Sequence, residues 1–303
     1  MGVLVAVLSI ATVVLVVLAL QSVRPTNVDG GASPQPTYSF GSDPTPSAST
    51  TTSPAPTAST APTTTPSAAP GASYPGAETR YLSIGSNGWW RATAGECGGA
   101  APLVEHSTDA GRTWEDVTPY YRGLAEVASL DAFAGSEAEM VAAVGGACEV
   151  QALRTFTQGE FWQPYPEVLA ASRYLDPADP ASAVVRGTRM AAPCAEPASF
   201  RAAGDVVAVD CDGAVSVLGS SNAWQPLPAT GAVALAATGE TVLTAAPAEG
   251  CAGVAVTRWS GEGFATTTPL GCAADVDPAA PLAVAALDDG AVVWSGDRVI
   301  PVG

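Results

Sequence analysis

His106 is the only histidine in this 303-residue chain. A serine nucleophile activated through an imidazole and an aspartate would have to use it. The alternating run Leu103-Val104-Glu105-His106 has strand period, and places His106 as a residue at the solvent edge of a strand instead. The stretch Asp210-Cys211-Asp212-Gly213 begins like a calcium loop, but the later oxygen ligands and the terminal glutamate are missing. A tight Asp-Gly hairpin turn is the better reading there, and again at Asp288-Asp289-Gly290. The cysteines at positions 97, 148, 194, 211, 251 and 272 contain no C-x-x-C pair, which disfavours zinc-ribbon and thioredoxin chemistry. Trp89 and Trp90 are adjacent, so on a strand they face opposite sides. One indole could then be exposed to stack on a sugar or anchor a partner; alternatively both are buried between packed sheets. The sequence assigns no catalytic residue, no metal ligand set and no cofactor.

The most informative stretch is Ser107-Thr108-Asp109-Ala110-Gly111-Arg112-Thr113-Trp114. Asp109 can accept backbone N–H groups in a tight bend, Gly111 can supply a positive φ, and Trp114 opens the return strand as a large apolar anchor. The octet resembles the Asp-box of the bacterial neuraminidase repeat at every defining position. That resemblance implies a β-propeller in which Ser107, Asp109, Gly111 and Trp114 form a structural turn between the outer two strands of a blade, away from any catalytic face. Weaker copies run from Thr155 through Gly159 to Trp162, from Thr257 through Gly261 to Phe264, at Trp294-Ser295-Gly296, and at Ser220 to Trp224. The hairpin centres near 111, 159, 221, 261 and 296 are separated by 48, 62, 40 and 35 residues. Propeller repeats run roughly 40–50 residues. The expectation is an all-β propeller of about five blades, or six if the 62-residue gap holds a blade rather than an insertion.

Short apolar runs near 81–84, 140–144, 206–209, 215–218, 233–236, 254–257, 282–286 and 291–294 read as its strands. Residues 122–130 are the one helix candidate, and the run at 81–84 is expected to complete the last sheet and close the ring, which would remove an open sheet edge. The same family resemblance raises sialidase activity. Its early Arg-Ile-Pro signature is absent, since Arg298-Val299-Ile300-Pro301 is not a match and falls at the end.

Composition organises the rest. Residues 3–20 are apolar except for Ser9 and Thr12, and such a run spans about 27 Å as a helix, close to the thickness of a bilayer. The core is longer than that of a cleaved signal peptide and lacks a good cleavage site, so residues 1–24 read as an uncleaved transmembrane anchor. Arg24 follows the span and no basic residue precedes it, a weak bias that a long C-terminal domain can override. Residues 25–78 read as a disordered linker, and every residue from Pro44 to Pro70 is Pro, Ser, Thr or Ala. The propeller then occupies residues 79–303. The chain carries a net charge of −17 with twelve arginines and no lysine. An acidic surface repels phosphate backbones, which argues against nucleic-acid binding.

An even number of cysteines beyond a membrane anchor reads as disulfides. Cys97, Cys148, Cys211 and Cys251 each lie 13–17 residues before the aromatic anchor of their repeat, and Cys194 and Cys272 are expected in connections between blades. This suggests pairings 194–211, 251–272 and 97–148, all on one face of the ring. The sequence thus reads as a bacterial cell-surface protein, its propeller extracytoplasmic, acting as a binding or scaffold module toward a surface protein or glycan. A divergent sialidase-like glycoside hydrolase on the same fold is the alternative.

Overall fold

The structure is a computed structural model and describes residues 76–303. The expected anchor at 1–24 and the linker up to residue 75 lie outside the described residues. Among the described residues no helix is long and apolar enough to cross a membrane.

Six antiparallel sheets follow one another along the chain, at 80–116, 124–164, 173–191, 199–226, 234–274 and 282–302. Sheets one, two, four and five have four strands, and sheets three and six have three. The first strand of each sheet packs beside the first strands of the sheets before and after it, and Arg80–Ile84 packs beside Leu282–Ala286. The six sheets are therefore the blades of a closed β-propeller. The 62-residue gap conceals a blade, the three-stranded sheet at 173–191.

The strands are apolar because each blade is covered on both faces. In Leu282–Ala286, Leu282 and Val284 face blade five, while Ala283 and Ala285 face blade one. Six separate buried clusters result, one at each interface between neighbouring blades. At about 1.5–3 kcal/mol for each buried valine or leucine, these interfaces dominate the stabilisation of the ring.

Two expectations are corrected. Arg80–Ile84 does not complete the last sheet. It is the first strand of blade one, paired with Trp89–Thr93, and the ring closes by side-chain packing between blades six and one instead. Residues 122–130 are not a helix. Leu124–Phe133 is the innermost strand of blade two, and the described α-helix is Pro166–Ala171, with proline at its first turn. Residues 76–78 already join blade one: the Gly95 N–H donates to the Ala77 carbonyl.

Candidate functional site

The octet folds as its residue types dictate. The Ser107 Oγ accepts the N–H groups of Asp109 and Gly111 and donates to Asp109 Oδ1. That same Oδ1 accepts the N–H groups of Arg112 and Thr113, at 3.0 and 2.8 Å, and Oδ2 accepts the Thr113 hydroxyl at 2.7 Å. These donors hold the Asp109 carboxyl down at about 2, the Thr113 N–H first among them. Gly111 has φ +77°, and a Cβ there would meet the Trp89 ring at 2.9 Å. In the second copy Thr155 takes the place of Ser107 and accepts the N–H groups of Thr157 and Gly159. Thr157, standing for the aspartate, accepts one backbone N–H, that of Phe161, where Asp109 Oδ1 accepts two.

The two tryptophan anchors differ. Trp162 is fully buried, edge-on to Trp90 at 5.7 Å, and donates its indole N–H to the Val117 carbonyl. Trp114 is only half-buried and lies under the Arg91 guanidinium, 4.3 Å from the ring centroid. It packs toward blade six, which has no fourth strand to cover it. In the third copy Gly261 and Phe264 bracket a short 3-10 turn at Glu262–Phe264, with Gly261 at φ +76° and Phe264 half-buried against the cluster between blades four and five.

Trp90 is fully buried between blades one and two, its ring 4.3 Å from that of His106. Trp89 is half-buried on the other face, against blade six. The pair therefore serves the interblade packing. His106 is likewise buried and not at a solvent edge, and burial lowers its pKa. Its neighbour across the strands is Trp90, whose size closes the site over it.

Three disulfides join Cys97 to Cys148, Cys194 to Cys211 and Cys251 to Cys272, with Cα–Cα separations of 6.0, 6.1 and 5.7 Å. Cys97, Cys148 and Cys251 lie between the second and third strands of blades one, two and five, and Cys211 ends the second strand of blade four. Cys194 lies in the connection from blade three to blade four, whereas Cys272 lies within the strand Thr266–Ala274, opposite Ala255, rather than in a connection. All three bridges thus sit on one face of the ring. The Asp109 hairpin turn lies on the other, because it joins the third and fourth strands.

Sequence reasoning missed the centre of the ring. A cavity of about 140 Å³ is lined by the innermost strands, including Ser83, Asp131, Arg201, Ala236, Thr238 and Ala285. Arg201, from blade four, reaches across to blade one. It donates to the Arg80 and Phe200 carbonyls, and its guanidinium lies 4.5 Å over the Tyr81 ring. Asp131, from blade two, lines the same cavity, and among the described residues no hydrogen bond or ion pair reaches its carboxyl. Burial and then the neighbouring Glu139 push that carboxyl up to about 7, against the opposing charges of Arg201 and Arg173. Glu139 itself is bonded to Arg154 at 2.7 Å.

No family model and no curated protein matches the chain. Solved structures similar to it include YCF48 bound to a D1 peptide, 17% identical over 73% of this chain and 76% of that chain, with a TM-score of 0.40. YCF48 from Cyanidioschyzon merolae is 15% identical over 73% of this chain and 80% of its own, also with a TM-score of 0.40. The Pan2 WD40 domain of Neurospora crassa is 9% identical over 72% of each chain, with a TM-score of 0.37. The chain is, by its own six sheets, a β-propeller.

Proposed function

We propose that this propeller is an extracytoplasmic binding or scaffold module of a bacterial cell surface, held to the membrane by residues 1–24 on the linker at 25–78. The observation that carries this reading is the placement of three disulfides on one face. Cysteine pairs persist in oxidising compartments, which supports a position outside the cytoplasm. Cross-links lower the ordering cost of binding a partner on that face. The bridge between Cys97 and Cys148 spans blades one and two, so it fixes two blades' loops as one surface. The Asp-box resemblance supports the structural role of the opposite hairpins. A sialidase-like activity finds no equal support, since the early Arg-Ile-Pro signature is absent.

Site-specific photo-crosslinking in intact cells tests the reading. Photoreactive residues placed at Ala147 and Glu249, both exposed near the bridges, should give discrete adducts with a surface partner. Arg112 and Asn222, exposed in hairpins on the opposite face, should give none. Equal labelling from both faces, or no adduct from either, would contradict it.

A further inference from the structure

We propose that the central cavity binds one small neutral polyol, a sugar or sugar alcohol, between Asp131 and Arg201. This rests on the channel alone and is independent of the disulfide face.

Hydrogen-bonding capacity selects the class. Asp131 and Arg201 supply the one carboxyl and the one guanidinium that line the cavity, while Glu139, outside its lining, is already matched by Arg154. A simple cation entering the cavity meets Arg201, and a simple anion meets Asp131. A hydroxyl group suits both partners, because it can donate to one and accept from the other. Asp131 has its acceptor sites unused among the described residues. Arg201 uses one N–H on each of two nitrogens for carbonyls and keeps others free, out of five. Ser83 Oγ accepts the Ala132 N–H at 2.8 Å, which leaves its own proton for a ligand oxygen.

The wall agrees with this. It is more polar than apolar, because the Ala285 and Ala236 methyl groups turn into the interblade clusters, so hydroxyl groups of a polyol find partners along it. The Arg201 side chain, which lines the cavity, reaches toward blade one. A volume of about 140 Å³ holds several waters at about 30 Å³ each. A polyol replaces such waters while reproducing their hydrogen bonds.

The test uses the full chain, purified in a detergent without a sugar headgroup, with glycerol, xylitol and glucose as probes. Propylamine, acetate and glycine serve as charged comparisons. Calorimetric titration should show saturable binding of at least one polyol. Asp131→Asn, which keeps the volume, should weaken it at least tenfold, and Arg201→Met, which removes the facing N–H donors, should weaken it likewise. Should either variant fail to fold, the carboxyl carbon resonance of Asp131 in the unsubstituted protein still decides, since it should shift saturably with that polyol. The proposal is overturned if no polyol saturates, if the charged probes bind in preference, or if binding survives both folded variants unchanged.

Discussion

The Trp162 ring stands edge-on to the Trp90 ring at 5.7 Å, so the anchor of blade two's hairpin is part of the core between blades one and two. Both side chains are fully buried. The hairpin of blade two therefore fixes the angle between blades one and two, and with it the loops that Cys97 and Cys148 join.

Trp162→Ala should lower stability by about 3–5 kcal/mol, as for a large aromatic lost from a core. Trp114→Ala, at a half-buried site, should cost about 1–2 kcal/mol less. Urea denaturation of both variants checks the order. Equal losses would show that the two anchors carry the same load.

Gly159→Ala should be more damaging than Gly261→Ala. Both glycines have positive φ, but a Cβ at Gly159 would meet Val117 at 2.5 Å, whereas at Gly261 the first contact is Thr266 at 3.1 Å. Thermal melting of the two variants measures the difference, and a larger drop for Gly261→Ala would contradict it.

Much of this was legible in the sequence. The period-two apolar runs and Asp-Gly turns located strands in blades one, two, four, five and six, and the repeat positions of the cysteines indicated the three pairs. Blade three was not legible because it has no fourth strand and its remaining turns carry no aromatic anchor, whereas three-stranded blade six showed one at Trp294 to Gly296, between its second and third strands rather than at an outer hairpin. Residues 122–130 resembled a helix for a physical reason. The strand Leu124–Phe133 has register irregularities between Leu124 and Glu126 and between Val127 and Ser129, which break its alternation and bring the apolar spacing near helical period. That same strand carries Asp131, so the central cavity was hidden with it.

Stability should carry a signature of Asp210. Its Oδ1 is buried without a partner, opposite the equally unpartnered Ser199 Oγ, and burial raises its pKa to about 6. A carboxyl raised in the folded state binds its proton more tightly there than when unfolded. Its contribution is complete below the unfolded value near 4 and is lost as pH rises through about 6. His106, lowered by burial, works in the opposite direction, so the informative quantity is the difference from Asp210→Asn. That variant should gain melting temperature relative to the parent as pH rises from 5 to 8. A constant difference across this range would contradict it.

Asp109 should act at the other end of the scale. Its carboxyl is held down at about 2, so its stabilising bonds are complete above the unfolded value near 4 and lost as pH falls through about 2. Asp109→Ala should lower the melting temperature at pH 7, and the difference from the parent should shrink below pH 3. A difference independent of pH would mean that the carboxylate does not hold the turn.

The central claim is an extracytoplasmic ring whose one face is fixed by three disulfides. Its most direct test is thiol trapping in intact cells followed by non-reducing peptide mapping of the mature protein. The account predicts no free thiol and linked peptides for Cys97–Cys148, Cys194–Cys211 and Cys251–Cys272. Free thiols in the cell, or any other pairing, would contradict it.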